Sequence, residues 1–314
     1  MRWSALLLSM FVAAGCAGTE PQCRVGADCA SGACLADGRC VSELPPDDPG
    51  EPDPIEPTTP PFSPAPAAAL ACQPNLDGSL EADEMRAAIG VPLSFLVSPA
   101  GARRGVDVAG AAQTDGSRRW DWSAPAQDDV AVAFAAQPLA GKWYAGFFPG
   151  AQFALPLDAS GRLVALYSRD SDALRLHGLA SVDSDPAEGR TLLVYETPIA
   201  AFRFPLRPGA TWTSEATVRV GSQVSGLPYS STDTYEVRVD ALGRLDLPDV
   251  SFAQVHRVRT RVTMDPSPGS VLTRRQVSFV AECFGEVARA TSLDNESRED
   301  FTTAAEIRRV GLQE

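Results

Sequence analysis

Lysine is almost missing from this sequence. Lys142 is the only one, so all other positive charge among the 27 basic residues is arginine. Against 40 acidic residues this leaves a formal charge of −13. Such a balance removes the electrostatic footprint expected of a nucleic-acid binder and disfavours anionic lipid surfaces as partners. With so much alanine, the arginine preference reads as genomic base composition rather than as a functional feature. Histidine is scarce too, with only His177 and His256. Each sits in a strand-like run with no nucleophile or orienting acid in a recognisable motif. There is no G-x-S-x-G, no HExxH and no phosphate-cradling loop; Gly141-Lys142-Trp143 lacks the upstream glycine and the following hydroxyl. No β–α–β rhythm occurs, which argues against a nucleotide-binding α/β fold. A carboxylate pair for glycoside hydrolysis is spatial and leaves no linear trace.

Long hydrophobic runs are also lacking. Leu6-Leu7-Leu8-Ser9-Met10-Phe11-Val12 follows Arg2 and is too short to span a bilayer as a helix. Ala13-Ala14-Gly15 then run into Cys16. Residues 1–15 read as a signal peptide, and the small residues before Cys16 resemble the lipobox of bacterial lipoproteins, although Ala13 stands where leucine is usual. That resemblance implies that Cys16 becomes the first mature residue and carries lipid. With Ala17 in place of an aspartate, it implies an outer-membrane address and a membrane partner reached through the anchor. The alternative is an ordinary secretory signal cut near Ala14, with Cys16 an unpaired thiol.

If Cys16 is lipidated, six of the seven cysteines remain, an even number suited to an oxidising compartment. Cys23, Cys29, Cys34 and Cys40 fall within residues 16–43, a segment too small for a core of its own. Of three pairings, Cys23–Cys34 with Cys29–Cys40 is favoured; no C-x2-C spacing supports zinc. The segment resembles short cysteine-rich repeats that follow the lipid anchor in bacterial surface lipoproteins, and a protease-resistant spacer is its expected role, with a small adhesive role the alternative. Cys72 and Cys283 are then left to pair with each other. Residues 44–71 form a proline-rich linker. The stretch from residue 41 carries ten prolines and six acids with no Lys or Arg, so the tether is stiff, extended and on the order of 90 Å long.

From Leu93 onward polar/apolar alternation and short turns recur, as in Asp129–Ala135, Thr191–Tyr195, Ala201–Leu206, Thr234–Asp240, Val255–Val262 and Val277–Cys283. The expected class for residues 91–314 is mainly β: a single large antiparallel curved sheet or partial barrel, preceded by a short helix, the linker and the disulfide knot. Ala201-Phe-Arg-Phe-Pro-Leu-Arg-Pro-Gly-Ala-Thr-Trp212 and Gly243-Arg-Leu-Asp-Leu-Pro-Asp-Val-Ser-Phe-Ala-Gln-Val-His-Arg-Val258 carry a further likeness. Together they resemble uncharacterised bacterial envelope proteins with a curved antiparallel sheet. The resemblance covers roughly residues 190–290 and implies a fold but no activity.

Residues 72–90 hold the one candidate metal site. With Gly78 at the sharp turn, Gln73, Asn75, Asp77, Ser79, Glu81 and Glu84 fall at positions 1, 3, 5, 7, 9 and 12 of an EF-hand-like calcium loop. Calcium wants six to eight oxygens, and this spacing wraps one loop around the ion. Asn75 and Asp77 would give side-chain oxygens, Ser79 its carbonyl, Glu81 a direct or water-bridged contact, and Glu84 both oxygens. Leu80 would pack the loop on the core. Gln73 replaces the usual aspartate, which lowers affinity, and no second loop is present. The alternative is an Asx-turn capping a helix at Ser79.

Two more groups complete the candidates. Trp120-Asp121-Trp122 and Lys142-Trp143-Tyr144-Ala145-Gly146-Phe147-Phe148 would stack on sugars, line an apolar cavity or, more simply, pack a core. Asp294-Asn295-Glu296 with Glu299-Asp300 reads as a solvated acidic turn, with cation binding the alternative. The expected function is a non-catalytic binding or structural module in the cell envelope, with structural calcium and a protein, glycan or hydrophobic ligand as partner. A carrier or sensor of a hydrophobic ligand is one alternative, and a hydrolase using paired carboxylates is another. A deep apolar cavity lined by Trp143, Phe147 or Trp212 would favour the carrier.

Overall fold

Alternating side chains with short polar turns form strands here because each strand has an apolar row to bury. The computed structural model describes residues 72–85 and 91–311. These belong to the second of two units, residues 69–314. Cys16, the four cysteines Cys23, Cys29, Cys34 and Cys40, and the linker lie outside the described residues.

The first strands are β1 (Leu93–Val97), β2 (Arg104–Gly105), β3 (Ala111–Ala112), β4 (Arg118–Asp121), β5 (Val130–Phe134) and β6 (Gln137–Pro138). Next come β7 (Phe153–Pro156), β8 (Leu163–Arg169), β9 (Ala173–Ser181), β10 (Leu192–Arg203), β11 (Thr211–Thr217), β12 (Gln223–Val224) and β13 (Leu227–Pro228). The last are β14 (Ser231–Asp246), β15 (Ser251–Pro266), β16 (Leu272–Ala281), β17 (Gly285–Ser292) and β18 (Thr303–Val310).

The mainly β class is therefore correct, but the strands divide into two sheets rather than one. The larger runs β3-β4-β14-β15-β16-β17-β18-β1-β5, with β11 on β14 and β2 on β18; the smaller runs β13-β12-β10-β9-β8-β7-β6. Pairing is antiparallel except between β4 and β14, which run parallel from Gly243↔Arg118 to Asp246↔Asp121. Gly243 permits that contact, since a Cβ there would lie 1.8 Å from the Arg118 carbonyl oxygen. A three-residue 3-10 turn, Ala82–Glu84, closes the loop, and most of the stretch expected to continue it as a helix lies outside the described residues.

The larger sheet curls around a core of its own. Trp120, Trp122, Phe279, Leu245, Phe301 and Val310 share one buried cluster. The Trp122 and Phe279 rings meet edge to face at 4.9 Å. Its other face packs on the smaller sheet: Val237, Val239, Val258 and Val280 meet Phe153, Leu174 and Phe202. Strand β16 shows why both faces are apolar, since Val277, Phe279 and Ala281 enter the first core while Val280 enters the second. The side chains of Tyr144 and Phe148, from the segment between β6 and β7, cover the far face of the smaller sheet against Val164, Leu166 and Val194.

Arginine, rather than lysine, has a structural use here. Arg257 is buried, binds Asp240 through Nε at 2.7 Å and Nη2 at 3.1 Å, and donates to the carbonyls of Val108 and Ala109 at 2.8 Å. Its guanidinium also lies 5.3 Å from the Trp120 ring centroid. Asp240 sits at a register shift between Val239 and Ala241, where bending of β14 leaves room for this ion pair. Phe279 is the most connected ring of the first core, so Phe279→Ala should destabilise the fold by about 3–5 kcal/mol. Urea unfolding would check this; a loss below about 1 kcal/mol would place the main core elsewhere.

Candidate functional site

Two neighbouring places gather the chemistry, and the turn joining β16 to β17 touches both. One is the loop that begins at Cys72; the other is a cleft between the sheets.

Cys72 and Cys283 form the expected disulfide, closing a separation of 211 residues. The chain-entropy model allows up to about 5 kcal/mol for a loop of that length. Next to it, Glu282 accepts the backbone N–H groups of Asn75 and Leu76 at 2.7 and 3.0 Å. The Cys283 N–H donates to the Glu84 carbonyl at 2.7 Å. His256 Nε2 lies 3.2 Å from the Gly78 carbonyl. Leu80, fully buried, exchanges both backbone hydrogen bonds with Leu206 at 2.9 Å. The loop is thus seated on the sheets by backbone and side chain alike.

The six residues expected as calcium ligands are only partly brought together. Asn75 Nδ2 donates to Glu84 Oε1 at 2.9 Å, and Ser79 Oγ donates to Glu81 Oε1 at 3.0 Å. Asn75 and Asp77 carboxamide and carboxylate oxygens accept the N–H groups of Asp77 and Ser79, both at 2.8 Å, as Asx-turns do. Glu84 Oε2 accepts the Glu81 N–H at 2.8 Å in a capping box. Gln73 is exposed. Among the described residues no group of three or more His, Cys, Asp or Glu side chains is arranged to hold a metal ion. Burial pushes the Glu84 carboxyl above its usual value, and the charges of Glu282, Asp77 and Asp83 push the same way, against a hydrogen bond from Glu81.

The cleft has a volume of about 420 Å³, within the range of small-molecule sites. Leu93, Phe95 and Phe134 line it from the larger sheet, Phe153, Leu155, Leu174 and Phe202 from the smaller. Its rim carries two apolar side chains left in water, Val91 and Phe284, at 62% and 53% exposure. Four polar groups interrupt the lining beside Arg169: Tyr167, Glu286, Arg289 and Arg308. Arg289 and Arg308 reach Glu286 at 3.5 and 4.0 Å, and Glu306, behind the lining, at 3.6 and 3.5 Å. Burial drives the Tyr167 hydroxyl up to about 12 and also raises the Glu306 carboxyl.

The aromatic residues flagged in the sequence do not line this cleft. Trp120 and Trp122 are core. Trp143 donates its indole N–H to the carbonyls of Ser181 and Val182, with Arg190 over its ring. Trp212 donates to the Ala200 carbonyl at 2.8 Å and edges a separate polar depression of about 360 Å³ between Arg238, Arg259 and Arg261. There Arg261 pairs with Glu236 at 3.2 Å and Arg238 with Glu299 at 2.8 Å, while Arg275 donates to the carbonyls of Glu296 and Ser297. The acidic turn is likewise engaged, Asp294 by Arg274 and Asp300 by Arg259. His177 Nε2 lies 2.7 Å from Ser168 Oγ, and His256 is enclosed in the sheet, as sheet histidines would be. Sequence reasoning missed Glu282, Tyr167, Arg289 and Arg308. The available signal was charge inside apolar strands, as in Val287-Ala288-Arg289-Ala290.

No family model, no curated protein and no solved structure matches this chain.

The parallel β4–β14 edge yields a pH prediction. Asp246 accepts from Arg119 Nε and Arg244 Nε at 2.7 Å and from Ser251 Oγ at 2.6 Å. Burial alone would raise its carboxyl, but these three donors outweigh it and hold it at about 2, below the ordinary 3.8. A depressed carboxyl contributes stability that is present above pH 3.8 and lost as pH falls toward 2. Both arginines are half exposed, so screening reduces the effect to about 1–2 kcal/mol. Asp246→Asn should remove that part of the acid dependence in urea titrations between these pH values. An unchanged acid slope would contradict the assignment.

Proposed function

We propose that this chain is a non-catalytic binding module of the cell envelope, carried on a lipid-anchored tether, which holds a hydrophobic ligand between its two sheets. One observation carries the reading: an apolar cleft of about 420 Å³ whose rim keeps Val91 and Phe284 exposed to water. Apolar side chains that fold could have buried, arranged around a concavity, are the mark of a ligand or partner surface. Supporting a binding rather than a hydrolytic role, Glu286 and Glu306 lean on the same two guanidiniums, and only Glu286 lines the cleft. The anchor at Cys16 and the stiff linker through residue 71 would hold this cleft away from an outer-membrane surface.

The test is binding of a neutral apolar dye, N-phenyl-naphthylamine, to the full chain. Enhanced fluorescence with one-to-one stoichiometry is expected, reduced at least about tenfold in affinity by Leu155→Trp, which fills the cleft. Absence of enhancement in the parent protein, or equal binding by the variant, would overturn the reading.

The loop at Gln73–Glu84 supports a second element of the proposal, structural calcium. Its donors are all oxygens, as calcium requires, and its buried Glu84 stands against like charges from Glu282 and Asp77 that a cation would offset. Asn75, Asp77, Ser79, Glu81 and Glu84 would hold the ion, with Gln73 the weakest contributor. Calcium in the millimolar range should raise the melting temperature by an amount worth about 1–2 kcal/mol, and Asp77→Ala with Glu84→Ala should abolish the rise. An unshifted parent protein would make the loop an Asx-turn clasp without metal.

A further inference from the structure

Resting on the reading of the cleft as a hydrophobic-ligand site, the inference here concerns the ligand's polar group. Three arginines, Arg169, Arg289 and Arg308, line the cleft against one carboxylate, Glu286. Arg308 is 6% exposed; its guanidinium lies 5.5 Å from the Phe134 ring centroid, and its only close hydrogen bond among the described residues runs from Nη2 to the Leu157 carbonyl at 3.2 Å. Its Nε and that of Arg289 are buried and have no hydrogen-bond partner among the described residues. The nearest carboxylates stand off from both guanidiniums at 3.5–4.0 Å, longer than a charge-assisted hydrogen bond. These Nε atoms are closed off from the cleft, so an acceptor there would be met by the terminal Nη donors, of which only Arg308 Nη2 makes a hydrogen bond among the described residues. A guanidinium fork matches a carboxylate in shape and charge, and an ammonium or a neutral hydroxyl offers less. Tyr167, in the same lining, supplies a further hydroxyl. The apolar residues from Leu93 and Phe95 across to Leu155 and Leu174 would cover a hydrocarbon portion.

We propose that the cleft selects a single-chain amphiphile with a carboxylate head, held by Arg289 and Arg308, over neutral or cationic amphiphiles of equal chain length. Arg169 is occupied with the Ala82 carbonyl and steers by charge alone.

The experiment displaces N-phenyl-naphthylamine from the full chain with dodecanoate, dodecanol and dodecyltrimethylammonium at one pH and ionic strength. Dodecanoate should compete at least about tenfold better than dodecanol, with the ammonium weakest. In Arg289→Gln the advantage of dodecanoate should fall to within about twofold while dodecanol displacement stays the same. Arg308→Lys, which keeps the buried charge but not the fork, gives a second variant, and circular dichroism with a melting curve confirms that each is folded. Equal displacement by all three compounds, or an unaltered dodecanoate advantage in both folded variants, overturns the carboxylate proposal and leaves the cleft reading intact. Failure of the dye and of dodecanol to bind the parent protein defeats the cleft reading itself.

Discussion

The turn from Glu282 to Phe284 is the point on which the rest of this structure depends. Its three residues do three different things. Glu282 holds the backbone of Asn75 and Leu76, Cys283 binds Cys72 covalently, and Phe284 projects at the rim of the cleft against Phe252. One short connection thus holds Cys72, seats the oxygen-rich loop and shapes the mouth of the cleft. The disulfide supplies a covalent limit on the unfolded chain, while Glu282 satisfies two N–H groups that the loop cannot satisfy itself. The loop is a clasp first.

Arginine provides the second organising principle. Arg257 joins β15 to the bend in β14 and to the Val108–Ala109 loop. Arg309 donates to the carbonyls of Trp122 and Ala124 at 2.6 and 2.8 Å and to Asp129 at 2.6 Å. Each ties an irregular segment to the larger sheet through that segment's backbone carbonyls. A planar group with five donors can do this; an ammonium cannot reach as many acceptors at once. Arg289, partly buried, and Arg308, buried, stand 3.5–4.0 Å from their carboxylates, whereas Arg257 and Arg309 hold theirs at 2.6–3.1 Å. That contrast within one protein is what directs attention to the cleft.

Much of the fold was legible. Period-two alternation placed strands at Asp129–Ala135, Val255–Val262 and Val277–Cys283, close to β5, β15 and β16. Elimination paired Cys72 with Cys283. The division into two sheets was not legible, because it follows from which strand ends pair and not from the residues along each strand. The parallel β4–β14 edge was hidden for the same reason, with Gly243 its only local sign. Thr191–Tyr195 and Ala201–Leu206, read as separate strands, are largely parts of one long strand, β10. The candidate site was less legible still. Core packing was the simpler expectation for Trp120 and Trp122 and is what they do, but Trp143, Phe147 and Trp212, the expected markers of a cavity, do not line the cleft, where Phe, Leu and Tyr stand instead. Treating arginine as genomic background concealed Arg289 and Arg308, whose meaning comes from burial alone.

The central claim, that the space between the sheets is a ligand site, is tested most directly by native mass spectrometry of the detergent-free full chain with added dodecanoate. The account predicts a one-to-one complex that Leu155→Trp abolishes. Complexes of several stoichiometries, or an equal complex in the filled variant, would contradict it.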